Sequence, residues 1–203
     1  MNVTVVVATC GSDEWKEMGD EAARGIYIPS IVRVHLPKGT VAQARNEGLK
    51  QVKTEFICFV DADDTISHGY FGFDPTSDVT VTSIRYRYRG IPMIPRVWQH
   101  ENGRPGYHTG DCVAPCLVDG NWVHVGAIIR TDAIKSIGGF KEYAVYEDWA
   151  LMLELQQNGF TFDRRPESVY EASIRQNDNH RNRSLPTHAR NLIHEQIYRD
   201  IVK

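Results

Sequence analysis

Val3-Thr4-Val5-Val6-Val7-Ala8 is a near-continuous apolar run, the pattern of a parallel strand covered on both faces. The polar stretch Thr9-Cys10-Gly11-Ser12 follows as a loop, and a helix is expected over Glu14 to Gly25. Ile31–Leu36 reads as a second strand, broken by Pro37-Lys38-Gly39. Thr40 is placed to cap a helix in which Val41, Ala44, Gly48, Leu49 and Val52 recur at helical spacing. Phe56, Ile57, Phe59 and Val60 then form a buried third strand. This strand–helix–strand–helix–strand order predicts an α/β fold with a doubly wound, mainly parallel, Rossmann-like sheet and helices on both faces. Right-handed crossovers bring the three strand ends to one edge.

The pattern changes in the middle of the chain. From about Gly72 to Gly120, strand-like pieces such as Val79–Tyr88 alternate with turns rich in Pro and Gly. Val125–Arg130 is another strand candidate, followed by a short helix from Thr131 to Ile137 and the turn Gly138-Gly139. A firmer helix is expected from Tyr146 to Asn158, with Gly159 as its C′ residue. The strand-like Ser168–Ile174 follows, then a polar stretch. A closing helix carries Leu192, Ile193, Ile197 and Ile201 on one face.

Composition narrows this picture only a little. The chain has 203 residues, 41% of them apolar and 24% charged, which suits one folded domain and excludes extensive disorder. A net charge of -3 argues against a surface given over to nucleic acid. No apolar run reaches the length of a membrane span, and the start lacks the pattern of a signal peptide, so a cytoplasmic protein is expected. The four cysteines should then stay reduced. Cys10 and Cys58 read as small buried hydrophobes. Cys112 and Cys116, with His108 and His124 nearby, match known zinc spacings poorly.

The candidate chemistry starts where the third strand ends, in Asp61-Ala62-Asp63-Asp64. Carboxylates at the C-terminal end of a strand in an open α/β sheet stand where ligands bind. Crowded together they repel unless a cation sits among them, and hard oxygen ligands suit Mg²⁺ or Mn²⁺. Glu147-Asp148 opens a helix, where two carboxylates complement the helix dipole if they do nothing else. Trp149, inside that helix, reads as core, and Trp122 is the better aromatic for a sugar face. Trp98 is a third such ring. Arg85, Arg87 and Arg89 alternate along one face of a strand and read as a solvated edge.

Four features in order resemble the family 2 glycosyltransferases of GT-A fold. They are the opening strand with its polar loop (Val3–Ser12), Ala44-Arg45-Asn46-Glu47-Gly48, the DxD motif Asp61-Ala62-Asp63, and Gly138-Gly139-Phe140 followed by Glu147-Asp148. The resemblance runs from Val3 to about Arg183. It implies an inverting enzyme that moves a sugar from a nucleotide-diphosphate donor, a UDP-sugar foremost, to an acceptor hydroxyl, with Mn²⁺ or Mg²⁺ as cofactor. Asp63 is then the metal ligand and Asp148 the general base, while Thr9, Arg45 and Asp61 hold the donor. His180 is implied as a further metal ligand, and Trp122 and Glu147 as acceptor or sugar contacts. Asp64 is expected to cap the loop after the acidic run.

The whole chain, 1–203, is expected to be one such domain. About 1–65 forms a nucleotide-binding half, about 66–175 an acceptor-side half, and about 176–203 a C-terminal loop and helix. The acceptor is a protein, a glycan or a modified DNA base. The second strand ends in His35-Leu36-Pro37, where relatives carry an acidic residue that reads the nucleobase, so the departure bears on the base and not on the chemistry. Two other classes stay open: a nucleotidyltransferase of related fold, for which Thr9-Cys10-Gly11-Ser12 is a poor phosphate loop, and a non-catalytic nucleotide-sugar-binding module, which has no need of Asp148.

Overall fold

The apolar run at the start becomes β1 (Val3–Cys10), whose residues are buried along nearly the whole length. The computed structural model describes residues 1–28, 30–88, 91–92, 117, 123–174 and 185–202. After β1 come α1 (Asp13–Arg24), β2 (Ile31–Leu36), α2 (Val41–Gln51), β3 (Phe56–Val60), β4 (Thr65–Ile66), β5 (Val79–Tyr88), β6 (Ile91–Pro92) and β7 (Ile128–Arg130). They are followed by α3 (Thr131–Ser136), α4 (Glu147–Gln157), β8 (Phe162–Ile174) and α5 (Thr187–Ile201).

These strands join one sheet in the order β2-β1-β3-β7-β5-β8-β4, with β6 paired to β5. The α/β class is as expected, and the sheet is mixed. Three of the described pairings are parallel (β1–β2, β1–β3, β5–β8) and four are antiparallel (β3–β7, β4–β8, β5–β6, β5–β7). Parallel neighbours need a long crossover, and β7 instead runs back from the edge at which β3 and β5 end.

Two glycines show how the helices flank the sheet. A Cβ on Gly19 of α1 would meet Thr9 and Val7, whereas one on Gly48 of α2 would run into Val6. Adjacent residues of a strand point to opposite faces, so α1 and α2 lie on opposite sides of β1. Thr40 caps α2 through a reciprocal pair with Gln43, as S/T-x-x-E/Q boxes do.

Later in the chain, Asn46 of α2 grips the turn after α3. Its amide donates to the Phe140 carbonyl at 2.8 Å and accepts the Phe140 N–H at 2.9 Å. Gly139 lies at φ +80°, with no room for a side chain against Asn46. α4 is buried nearly all round, through Trp149, Ala150, Leu151, Met152, Leu153 and Leu155.

β8 begins six residues before the expected Ser168. Its pairing with β5 skips from Arg165↔Thr82 to Val169↔Ser83, which loops Pro166 out of the ladder to which it cannot donate. In α5, Ile197 and Ile201 are buried and Ile193 is partly so, but Leu192 is 59% exposed and does not share that face. Among the described residues, no helix is long and apolar enough to cross a membrane.

Candidate functional site

β1, β2 and β3 are parallel, so Thr9, His35 and the acidic run all emerge at one edge of the sheet. Thr9 Oγ1 lies 2.9 Å from His35 Nδ1. The two residues line a cavity of about 130 Å³ together with Lys16, Asp20 and Arg33. Asp61 follows Val60, the residue that pairs with Val7. The chain then turns tightly, with the Asp64 N–H donating to the Asp61 carbonyl at 3.1 Å.

The three carboxylates have different surroundings. The Asp61 side chain is 39% exposed, Asp63 is half-buried, and Asp64 is buried. Asp64 Oδ1 accepts the Ser173 N–H of β8 at 2.7 Å, so this carboxylate ties the acidic turn to the next strand and does not cap a loop of its own. Burial, followed by the charges of Asp61 and Asp63, pushes the Asp64 carboxyl well above the usual carboxylate range. Negative charge is concentrated here.

Arg45 is the cation at the centre of the site. Gly48 lets α2 approach β1 closely, and the Arg45 side chain, one turn earlier, is only 5% exposed. Its Nη2 donates to Asp61 Oδ1 at 2.7 Å and its Nη1 to Glu147 Oε1 at 2.8 Å. The guanidinium also lies 5.2 Å from the centre of the Phe140 ring, a cation–π distance. Burial works against the charge on Arg45, but Asp61, Glu147 and Asp148 outweigh it and raise its proton affinity.

The opposite wall is the first turn of α4. Tyr146 precedes it at φ 67°, the one non-glycine residue with positive φ among the described residues. Such a conformation is held only where the surroundings impose it. It delivers Glu147 into the ion pair and leaves Asp148 half-buried, with Oδ1 accepting the Trp149 N–H at 2.8 Å. Trp149 is buried as core, as expected. Its indole N–H donates to the Leu117 carbonyl at 2.7 Å and its ring stacks on His194 of α5 at 4.2 Å.

Thr9, Arg45, Asp61 and Asp63 thus come from the α2 side and the strand ends, and Arg45 joins Asp61 to Glu147, the residue before Asp148. Glu147 faces Arg45 in a buried ion pair. His180, Trp122, Trp98, Arg89, Cys112 and Cys116 lie outside the described residues. Arg85 and Arg87 pair with Glu171 of β8, at 3.4 and 2.9 Å, in a part of β5 beyond its pairing with β7 at Val79 and Thr80. Cys58 is buried as expected, and burial pushes its thiol pKa up.

Sequence reasoning missed Tyr170 of β8, which is 1% exposed and accepts the Asp61 N–H at its hydroxyl, 3.1 Å away. A tyrosine in a strand carries no signal of such a role.

The donor set at the acidic turn is all carboxylate oxygen, which fits a hard divalent cation. Among the described residues, no group of three or more His, Cys, Asp or Glu is arranged around one point for a metal. Carboxylates here would therefore supply part of a coordination shell, and phosphate and water the rest, as is usual for Mg²⁺.

Comparison with known proteins gives this geometry its context. No curated protein sequence matches the chain. Among solved structures, Staphylococcus aureus TarS 1–349 in complex with UDP-GlcNAc superposes with a TM-score of 0.66 at 17% identity, over 100% of this chain and 67% of that one. The mannosyltransferase PcManGT from Pyrobaculum calidifontis, in complex with GDP-Man and Mn²⁺, gives 0.58 at 14% identity, over 99% and 70%. GalNAc-T7 with UDP, GalNAc and Mn²⁺ gives 0.57 at 13%, over 86% and 44%. The chain spans 60% of another TarS 1–349 structure that it matches. At these identities the likeness is one of fold, that of the GT-A glycosyltransferases. The sequence model described as Glycosyl transferase family 2 matches residues 1–135 of the 203, and the chain belongs to that family.

Proposed function

We propose that this protein transfers a sugar from a nucleotide-diphosphate sugar to an acceptor hydroxyl, with inversion at the anomeric carbon and with Asp148 as general base. The observation that carries this reading is the buried Arg45, which binds Asp61 of the acidic turn and Glu147 beside Asp148. One guanidinium thereby links Asp61, proposed for the leaving-group side, to Glu147, the neighbour of the proposed base. UDP-GlcNAc in TarS, and GDP-Man with Mn²⁺ in PcManGT, support a nucleotide-sugar donor and a divalent cation.

In this reading Asp63 holds Mn²⁺ or Mg²⁺, while Asp61, Arg45 and Thr9 orient the donor. The cation, when bound, offsets the charge that develops on the departing diphosphate. Asp148 takes the proton of the acceptor hydroxyl. The oxygen forms its bond to the anomeric carbon as the opposite carbon–oxygen bond to the diphosphate breaks, and the nucleoside diphosphate leaves. The acceptor is a hydroxyl on a protein, a glycan or a modified DNA base.

Two variants test the division of labour. Asp148→Asn keeps size and loses the base, so sugar transfer should fall about 10²–10⁴-fold while donor binding stays unchanged. Asp63→Ala should abolish Mn²⁺-dependent donor binding, measured by calorimetry with a panel of UDP- and GDP-sugars. Undiminished turnover in folded Asp148→Asn rules out Asp148 as the base, and donor binding without any turnover in the parent leaves a binding module. Release of pyrophosphate from a nucleoside triphosphate and a sugar phosphate, in place of nucleoside diphosphate release, identifies a nucleotidyltransferase.

A further inference from the structure

The acidic turn has a second anchor that the proposed chemistry does not use. Asp61 and Asp64 are the two ends of a four-residue turn closed by the Asp64 N–H on the Asp61 carbonyl. Both ends meet β8. The Tyr170 hydroxyl accepts the Asp61 N–H at 3.1 Å and lies near the Asp64 carboxyl. Three residues further along β8, the Ser173 N–H donates to Asp64 Oδ1. Below the turn, Ile66 of β4 pairs with Tyr170 and Thr65 with Glu171.

Tyr170 is itself held from the other side. Its ring lies against His124, with centroids 4.8 Å apart. The ring also fills the space at Gly126, where any Cβ would run into it. His124 is fixed in turn by the Gly126 N–H on Nδ1 at 3.1 Å, and by Thr82 at Nε2. A buried polar chain therefore runs from β5 through His124 and Tyr170 to the acidic turn. Asp63 lies inside this turn, between the two gripped residues.

Three acidic side chains fall in four positions, and Arg45 pairs with Asp61 among them. The Tyr170 hydroxyl on the Asp61 N–H and the Ser173 N–H on Asp64 tie both ends of the turn to β8 before any cation arrives. Groups behind a ligand set commonly hold it in this manner. We infer that Tyr170 is a positioning residue, whose hydroxyl presets the acidic turn so that Asp63 is aimed for a divalent cation and the donor diphosphate. This inference rests on the functional reading above.

Tyr170→Phe removes the hydroxyl and keeps the ring. Tyr70→Phe is the matched control. Tyr70 is equally buried, and its hydroxyl bonds Thr82 and the Gly126 carbonyl without touching the acidic turn. Mn²⁺ binding is titrated in the presence of UDP, and separately of GDP, for the parent, both tyrosine variants and Asp63→Ala. The expected result is a Kd for Mn²⁺ about 10–100-fold weaker in Tyr170→Phe, with parent-like Kd in Tyr70→Phe. In turnover, the KM for donor should rise more than kcat falls.

Parent-like Kd and KM in a folded Tyr170→Phe overturns the inference alone, provided Asp63→Ala has lost Mn²⁺. Equal weakening in the two tyrosine variants overturns it too, since that marks a general packing effect. A parent that binds no Mn²⁺, or an Asp63→Ala that still does, overturns the metal reading and this inference together. If Tyr170→Phe does not fold, Gly126→Ala decides, because it displaces the ring and with it the hydroxyl, while every residue of the acidic turn is kept. It must show the same weakening, and parent-like Mn²⁺ binding in it rejects the role.

Discussion

His124 lies beneath Tyr170 with both ring nitrogens engaged. Nδ1 accepts the Gly126 N–H, so the proton is on Nε2, which faces Thr82. A second proton on Nδ1 would break that bond in a buried place. Burial accordingly lowers the His124 pKa to about 4, although the Thr82 carbonyl and the charge of Asp61 oppose the shift. Because the folded value is below the ordinary 6.5, the unfolded chain takes up the proton first as pH falls. The stability that His124 contributes is therefore present above about pH 6.5 and lost as pH falls toward about 4. Urea unfolding at pH 7, 5.5 and 4.5 should show a decline in the parent that is smaller in His124→Gln, and identical slopes in the two proteins would refute this. Asp61, Asp63, Arg45 and Asp148 were legible in the sequence because they sit in short motifs at strand and helix ends. Tyr170 and His124 were not, because their contacts join β8, the segment before β7 and a turn 109 residues away.

At the scale of elements, a buried ion pair between Arg45 and Glu147 joins α2 to α4. Glu147 is 7% exposed at its side chain and Arg45 is 5% exposed, so neither charge is satisfied by water if the other is removed. Breaking a buried pair from one side costs about 3–5 kcal/mol, whereas replacing both partners by apolar groups is often near neutral. Arg45→Met should thus lower the unfolding free energy by about that amount, and Arg45→Met with Glu147→Leu should recover most of it. Denaturant titration of the two variants checks this, and equal losses in both would point to packing in place of charge. Most elements could be read from hydrophobic period, capping and breakers, as with β2, β3 and the Thr40 cap. Strand direction could not. Nothing local in Ile128–Arg130 tells it to run against β3. The first half of β8 was hidden by Asp163, Arg164, Arg165 and Pro166, of which the first three pair with Thr80, Val81 and Thr82 of β5 while Pro166 is looped out.

At the scale of the whole molecule, the sheet is stitched from pieces distant in sequence. β5 pairs with β8 from Val79↔Phe162 to Tyr88↔Ile174, and β7 is inserted between β3 and β5. Arg45 and Glu147 are 102 residues apart, while Arg45 and Asp61 are 16 apart. This difference sets an order in time. Contacts distant along the chain form late in folding, because the entropy of closing long loops must be met before they return any energy. The Arg45–Asp61 pair can form with the first three strands, but Glu147 joins only after β5, β7 and α3 have found their places. During refolding from urea, far-UV circular dichroism should therefore recover before Mn²⁺ and UDP binding does. Binding that returns as fast as the backbone signal would contradict this order. The bridge made by Arg45 then means that a chain part-way through folding carries its acidic turn without the opposing carboxylate, and is inert toward donor until the last segments dock.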